Sequence, residues 1–310
     1  MLWQKALFFI LVLFILSPWG SPAAALALGL LMALTIGNPF PALSGGPAKY
    51  LLQTSVVLLG FGMNLSTVYK AGREGILFIV CVVFGALILG FLIGKLLKTP
   101  GRITTLVSTG TAICGGSAIA AVGPAIKAEN DEMSVSLGTI FVLNAVALFL
   151  FPSLGHFFGM NEGQFGLWAA IAIQDTSSVV GASSAYGPAA LSVAATVKLA
   201  RALWIAPLAI ALAFIYRESG AKTKVAVPWF IVLFVFAAAV RTFAPEKTPP
   251  SLFDAIVNLA KAGFTVTLFF IGLSLTKEML KRVGWRPFIL GLALWIVIAS
   301  FSLWAVLRFG

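Results

Sequence analysis

The sequence predicts an all-α polytopic membrane protein, and three observations support that prediction. Of the 310 residues, 60% are hydrophobic and only 10% are charged, whereas soluble proteins average about 25% charged residues. Apolar runs of roughly 15 to 22 residues recur along the chain, and a helix of that length crosses a bilayer core of ~30 Å. The net charge of +11 comes from basic residues that lie between these runs, which is typical of membrane topology and does not indicate a nucleic-acid partner.

The hydropathy pattern predicts about 10–11 transmembrane helices in a single transmembrane domain, residues 1–310. The first segment, within 1–21, is the weakest, because "ALFFILVLFILS" followed by "SPAAA" also fits a cleaved signal peptide. We favour a retained helix. The eleven candidate spans are 5–17, 22–37, 50–66, 75–95, 103–126, 133–152, 165–186, 191–216, 226–243, 255–276 and 287–308.

Lysine and arginine residues set the predicted orientation. With the N-terminus inside, the cytoplasmic segments hold twelve basic residues and the outer segments hold six, as the positive-inside rule requires. We therefore expect a multi-pass protein of the bacterial inner membrane with a cytoplasmic N-terminus. Cys81 and Cys114 lie in apolar spans and His156 is the only histidine, so we expect no disulfide framework, no metal site and no cofactor.

Two pairings of an internal inverted repeat fit the chain. In the first, "VVLLGFGMNLSTVYKAG" (56–72) resembles "VTLFFIGLSLTKEMLKRVG" (266–284), and the two helices run in opposite directions. In the second, a first repeat of 22–152 pairs with a second repeat of 165–308. Both pairings invert the orientation of one half, as inverted-topology repeats require.

The stretch "TGTAICGGSAIAAVGP" within span 103–126 carries residues that weaken a helix. Each interior glycine costs about 1 kcal/mol and a proline about 3 kcal/mol, so we expect an interruption around Cys114–Ser117. Unwound backbone at membrane depth offers free N–H groups that attract anions. The alternative is a packing seam in which small residues let helices approach closely. The candidate substrate-binding residues here are Thr111, Cys114, Gly115, Gly116 and Ser117.

A second polar constellation lies in "IQDTSSVVGASSAYGP" (173–188) and in the span that follows it. We add Thr176, Ser177, Ser178, Lys198 and Arg201 to the candidate substrate-binding residues, with Asp175 as the candidate coupling group. A charge at mid-membrane costs about 2.5–3.5 kcal/mol and usually faces the bundle interior. In an antiparallel hairpin that turns at Gly187-Pro188, Asp175 and Arg201 reach similar depth. A purely structural ion pair is the alternative.

The charged sequence "KAENDE" follows the first polar span. It lies on the outer side in the predicted topology. One interpretation is a solvated loop whose acidic residues cap the next helix at its N-terminus. The other makes Lys127 and Glu129 a gate.

The motifs "TAICGGSAIAAVGPAIKAE", "QDTSSVVGASSAYG" and "TVKLARALWIAPL" resemble those of the YeiH-type sulfate-exporter family, the UPF0324-like membrane proteins. The resemblance covers nearly the whole chain. It implies the fold of bile-acid symporters and cation/proton antiporters, with inverted repeats, discontinuous helices that cross at mid-membrane, a panel domain, a core domain and a homodimer. Where the family often has His-Glu, this chain has Gln174 and Asp175, so a relay through that histidine is not expected.

These observations favour a secondary active transporter of a small anion, and the resemblance suggests export of sulfate or a sulfonate by an elevator-like alternating-access mechanism. A proton- or sodium-coupled organic-anion importer is the alternative, and H⁺ or Na⁺ is the expected coupling ion. A passive channel ranks lower. An enzyme is not expected. Ser117 and His156 are the only residues that could form the nucleophile and base of a serine protease, and the sequence "GGSA" around Ser117 is a poor match for one. The expected partners are the small anion and the lipid bilayer.

Overall fold

The structure is a computed structural model that describes residues 2–17, 19–43, 46–62, 65–202, 204–216, 229–245 and 249–309. Within these ranges every regular element is a helix, which confirms the all-α fold. The first seven helices are α1 (Leu2–Leu16), α2 (Pro22–Thr35), α3 (Gly46–Gly60), α4 (Leu65–Leu96), α5 (Gly101–Ala112), α6 (Gly116–Ala125) and α7 (Asn130–Phe157). The others are α8 (Glu162–Ala172), α9 (Thr176–Tyr186), α10 (Pro188–Ala202), α11 (Ile205–Ile215), α12 (Trp229–Thr242), α13 (Pro250–Ser274), α14 (Lys277–Arg282) and α15 (Trp285–Phe309).

Four stretches of the described chain are long and apolar enough to cross a membrane: Asp131–Phe157, Pro188–Leu212, Ser251–Ser274 and Trp285–Phe309. Shorter apolar helices accompany them, so the protein is a polytopic membrane protein. Helix α1 packs on α13, where the buried ring of Phe8 lies 5.6 Å from that of Phe269. Whether this first segment is retained stays a prediction.

The predicted interruption of span 103–126 is confirmed, but the segment does not continue across the membrane. Helix α5 ends at Ala112 and α6 runs back alongside it. A Cβ built on Gly110 would lie 3.0 Å from the Ile119 side chain, and Leu106 shares a buried cluster with Ile119. At the base, Arg102 lies 3.8 Å from Glu132 at the start of α7. Helices α5 and α6 therefore form a re-entrant hairpin, which corrects the predicted crossing.

Helix length agrees with this path. Helix α5 has 12 residues and α6 has 10, so at 1.5 Å per residue they are roughly 18 Å and 15 Å long. Each is about half of a ~30 Å hydrocarbon core. The tip of the hairpin therefore lies near mid-membrane.

Helices α8 and α9 form a second re-entrant hairpin, where the sequence predicts one crossing over 165–186. The end of α9 returns to the start of α8, because the ring of Tyr186 stacks on Phe165 at 3.8 Å. The Tyr186 hydroxyl donates to the carbonyl of Met160 at 2.6 Å. A carboxylate oxygen of Glu162 also accepts from the N–H groups of Ala189 and Ala190, at 2.7 Å and 3.2 Å.

The two hairpins enter from opposite faces of the membrane domain. Helix α7 begins beside the base of the first hairpin, and Gly155 near its other end packs against Tyr186 at the base of the second. We call the first side the Arg286 face, since Arg286 there donates to the carbonyl of Lys98 at 3.5 Å. The second side is the Glu162 face. Of the eleven predicted membrane segments, two are thus re-entrant, and the other nine stay predicted crossings.

This path moves the charged sequence "KAENDE" to the other side of the membrane. Residues 126–130 lie on the Arg286 face, together with Lys98 and Arg102, and not on the opposite face as predicted. Reassigning Lys127 changes the sequence count of basic residues from twelve against six to thirteen against five. The re-entrant path therefore satisfies the positive-inside rule better than eleven crossings do.

Small residues let α2 and α3 pack close to α13. A Cβ on Gly29 of α2 would lie 2.2 Å from the carbonyl oxygen of Phe269, and one on Gly263 would lie 2.1 Å from the Ser55 hydroxyl of α3. Helices α3 and α13 pack antiparallel, because Gly62 meets Val257 at the other end of the contact. This direction suits the first of the two repeat pairings, which stays a prediction.

Candidate functional site

The tips of the two hairpins meet inside the membrane domain. A Cβ built on Gly115 in the first tip would lie 3.3 Å from the Cα of Asp175 in the second. The side-chain Nε2 of Gln174 donates to the Thr111 hydroxyl at 3.1 Å. Four helix ends therefore surround one point, namely the C-termini of α5 and α8 and the N-termini of α6 and α9.

Local backbone chemistry explains where each hairpin turns. Gly115 has φ +62° and ψ −122°, a conformation that residues with a Cβ rarely adopt. In the second tip Ile173 is extended, with φ −84° and ψ 128°, and Asp175 is the N-cap of α9. Glycine and aspartate are thus the residue types that these two turns require.

Arg201 of α10 joins the two hairpins. Its Nη1 donates to the carbonyls of Ala170 and Ile171 at 2.9 Å and 2.7 Å, and its Nη2 donates to Thr111 and Ala112 at 3.2 Å and 2.6 Å. Unsatisfied carbonyls and negative dipole ends occur at helix C-termini. The fully buried guanidinium therefore caps α8 and α5 at the same time.

The predicted ion pair between Asp175 and Arg201 is wrong, although both residues do lie at the depth of the hairpin tips. The structure describes both side chains, and no ion pair joins them. Arg201 is directed to backbone carbonyls instead. Its Nε is buried with no hydrogen-bond partner in the described structure.

Lys198 lies one helical turn before Arg201 and is fully buried. Its Nζ donates to the carbonyl of Ile173 at 2.7 Å and approaches that of Ala170 at 3.4 Å. Both carbonyls belong to the C-terminal end of α8. Lys198 and Arg201 share a helix face, because they are three residues apart, and their part in substrate binding stays a prediction.

Asp175 caps the N-terminus of α9. Its Oδ2 accepts from the backbone N–H groups of Ser177 and Ser178 at 3.1 Å and 3.3 Å and from the Ser177 hydroxyl. These serines were predicted to contact substrate, and here both donate their N–H groups to Asp175. Thr176 is half-buried, and its part in substrate binding stays a prediction.

The N-terminus of α6 lacks the cap that α9 has. Its N-cap residue is Gly115, which has no side chain to accept a hydrogen bond. The first backbone N–H groups of a helix have no partner within the helix. Gly116 and Ser117 at this end are half-buried, and Cys114 beside them is 1% exposed. Whether the predicted residues of this tip bind substrate stays a prediction.

Asn144 is a residue of this centre that the sequence analysis missed. Its Oδ1 accepts from the backbone N–H groups of Gln174 and Asp175 at 2.9 Å and 3.1 Å. Its Nδ2 donates to the carbonyl of Ile140 at 2.8 Å. The side chain therefore ties the second tip to the middle of α7. The sequence feature that could have identified it is a lone asparagine within the apolar sequence "FVLNAVALF".

Lys127 and Glu129 lie at the start of α7, away from the tips. The carboxylate of Glu132 accepts from the Glu129 N–H at 2.8 Å, so acidic residues of this sequence do cap α7 as one interpretation proposed. The gate hypothesis stays a prediction, now for the Arg286 face. In the described part of the chain, no cluster of three or more His, Cys, Asp or Glu residues could hold a metal ion.

Comparison with known proteins relates this arrangement to bacterial membrane proteins. A family model described as conserved hypothetical protein 698 matches residues 7–291. A UPF0324 membrane protein of Bacteroides thetaiotaomicron is 52% identical over 288 residues, which cover 93% of this chain and 86% of that protein. A second, from Porphyromonas gingivalis, is 53% identical over 286 residues, 92% of this chain and 86% of its own.

A third UPF0324 membrane protein, from Bdellovibrio bacteriovorus, is 48% identical over 307 residues and covers 98% of this chain and 94% of its own. No solved structure matches the chain significantly. The similarity to these relatives extends over both hairpins and nearly every described helix. The chain therefore belongs to the UPF0324 family of membrane proteins.

Proposed function

We propose that this protein is a secondary active transporter of a small anion, which binds where the hairpin tips meet. The observation that carries the proposal is the difference between the two hairpins. Helix α9 has its N-terminus capped by the carboxylate of Asp175, and α6 has only Gly115 in that position. A substrate anion at α6 would occupy the place that the carboxylate occupies at α9.

The buried charges favour the same ligand. Lys198 and Arg201 are fully buried, and Asp175 is 5% exposed. The two helix C-termini and two helix N-termini at this point contribute partial charges of about −0.5 and +0.5 each, which cancel. One positive charge is then left without a partner if both basic residues are protonated. A bound anion would neutralise it, and a bound cation would add to it.

The opposed hairpins support an alternating-access mechanism. Each tip separates the centre from the face at which its own hairpin enters. Movement of one hairpin, or of both with α7 and α10 as one body, would expose the centre to one face at a time. We propose an elevator-like movement on this basis. The bacterial inner membrane, the cytoplasmic N-terminus and a homodimeric state belong to the same proposal.

The resemblance noted above supports sulfate or a sulfonate as substrate and export as the direction. A cation-coupled organic-anion importer is the second candidate, and the half-buried, hydroxyl-bearing Ser117 and Thr176 beside the tips would suit either class. The two candidate functions differ in substrate size. Competition for the site by small oxyanions and by bulky carboxylates therefore distinguishes them.

Transport by purified protein in proteoliposomes tests the proposal. We expect saturable uptake and counterflow for at least one of sulfate, sulfite, taurine and bicarbonate. Gly116→Leu should abolish exchange, because even a Cβ there would lie 3.2 Å from the Phe141 ring. Gly85→Leu is the matched control, since nothing lies within 4 Å of a Cβ at Gly85. Absence of exchange for every anion would contradict the proposal, and unsaturable current would indicate a channel.

A further inference from the structure

The proposed transporter needs a group that couples anion movement to an ion gradient, and the three buried side chains at the hairpin tips that carry a carboxylate, a guanidinium or an amine differ in their suitability. The Asp175 carboxylate is occupied as the cap of α9 by three donors. Protonating it would break that cap. Arg201 holds four carbonyls, and a guanidinium keeps its proton in proteins.

Lys198 alone of the three has a complete set of partners in its neutral form. A neutral amine has two N–H donors, and two carbonyls lie at 2.7 Å and 3.4 Å from its Nζ. An ammonium has three donors, and no carboxylate lies within ion-pair distance in the described structure. The two carbonyls therefore accept both hydrogen bonds that a neutral Lys198 can donate. A charged Lys198 would have one N–H donor without an acceptor in the described structure.

Among the surrounding charges, Arg201 opposes a positive charge on Lys198 and Asp175 favours one. The ionisable groups that face Lys198 are Arg201 on its own helix, Cys114 in the first tip and Asp175 in the second. Among the described residues of α4, α8 and α9, which pack on α10, the charged side chains Lys95 and Glu162 lie near the membrane faces. A sodium ion at the tips would add a cation beside Arg201, whereas a proton can bind the lone pair of the amine.

We infer that the coupling ion is H⁺ and that Lys198 carries it. This inference rests on the proposed function. When the anion binds at the N-terminus of α6, one proton from the same solution bonds to the lone pair of Lys198 Nζ, and the resulting ammonium neutralises one negative charge of the anion. When the anion leaves on the other side, that N–H bond breaks and the proton leaves with it. Lys198 is thus the group that makes anion flux depend on the pH gradient.

Two measurements on the full chain test the inference. In proteoliposomes, net flux of any panel anion that shows counterflow should follow an imposed pH gradient and ignore replacement of Na⁺ by choline. In Lys198→Arg the charge is permanent, so the pH gradient should no longer drive net flux. Counterflow with net flux that ignores the pH gradient, or that still follows it in Lys198→Arg, would overturn the inference. No counterflow for any anion would overturn the proposed function itself.

Thermal unfolding in detergent gives a readout without substrate. If Lys198 is neutral in the anion-free protein, Lys198→Met leaves the Ile173 carbonyl without its donor and should melt modestly below the wild type, and Lys198→Arg should melt lower than Lys198→Met. The reverse order would show that the site requires a charge there, and would overturn the inference. Loss of pH-driven flux in Asp175→Asn, with retention in Lys198→Arg, would assign the proton to Asp175 instead.

Discussion

Gly115 and Asp175 approach from opposite faces of the membrane domain, and a Cβ on the glycine would lie 3.3 Å from the Cα of the aspartate. This contact joins the tips of two re-entrant hairpins. Between them, the tips place two helix C-termini against Lys198 and Arg201, one helix N-terminus against Asp175, and one helix N-terminus behind Gly115, which has no side chain to cap it. The proposed anion site is the fourth of these ends.

Gly115 should tolerate no side chain. Its φ of +62° costs a residue with a Cβ about 1–3 kcal/mol, and the added atom would press on Asp175. We expect Gly115→Ala to lower the melting temperature in detergent and to reduce anion exchange strongly. Gly85→Ala is the control, since a Cβ there meets no atom within 4 Å and alanine favours the helix. Equal behaviour of the two variants would show that the tips are not in close contact.

Arg201 should be needed for stability as well as for transport. Arg201→Met removes the partner of four helix-end carbonyls, and each buried group left without a hydrogen bond costs about 1–3 kcal/mol. We expect the variant to unfold at much lower temperature. Arg201→Lys should recover only part of the loss, because an ammonium cannot reproduce the planar fork. Arg286→Met is the control, since Arg286 is exposed, and full stability of Arg201→Met would refute the clamp.

Asn144 should act as a positioning residue for the second tip. Asn144→Leu leaves the N–H groups of Gln174 and Asp175 without an acceptor, at about 1–3 kcal/mol for each group. We expect a lower melting temperature and a weaker apparent affinity for the transported anion. Asn258→Leu on α13 is the control, because Asn258 is exposed. Unchanged stability and affinity in Asn144→Leu would remove this residue from the site.

Glu162 should hold the base of the second hairpin closed. Its carboxylate caps the start of α10, and losing a helix cap typically costs about 0.5–2 kcal/mol. We expect Glu162→Ala to speed hydrogen exchange at the Ala189 and Ala190 amides and Glu162→Gln to do so less, since its amide keeps one acceptor oxygen. Equal exchange in Glu162→Ala and the wild type would contradict the cap.

The sequence predicted the composition of this centre better than its topology. The glycine pair at 115 and 116 indicated the first interruption, and the polar sequence around Asp175 indicated the second site. Hydropathy could not show that both segments turn back, because segments of 24 residues (103–126) and 22 residues (165–186) suit either one full crossing or two half-depth helices. The position of Lys127 was the observation that could have shown this. Placing Lys127 on the same face as Arg102 raises the excess of basic residues on the predicted cytoplasmic side.

The partners of Arg201 could not be predicted, for a related reason. Side-chain charges are visible in a sequence, and free backbone carbonyls are not. A basic residue at mid-membrane was therefore assigned to the nearest carboxylate of similar depth. The re-entrant turns create helix ends in that place, and carbonyl ends satisfy a guanidinium without a second charge to desolvate.

The sidedness of Ala128 tests the re-entrant path, on which the proposed site depends, most directly. In a background with Cys81→Ser and Cys114→Ala, single cysteines at Ala128, Lys95 and Phe158 would be labelled with a membrane-impermeant maleimide in right-side-out and inverted vesicles. Re-entrant hairpins predict that Ala128 labels from the same side as Lys95 and that Phe158 labels from the opposite side. Labelling of Ala128 from the side opposite Lys95 would mean that residues 103–126 cross the membrane, and would contradict the account.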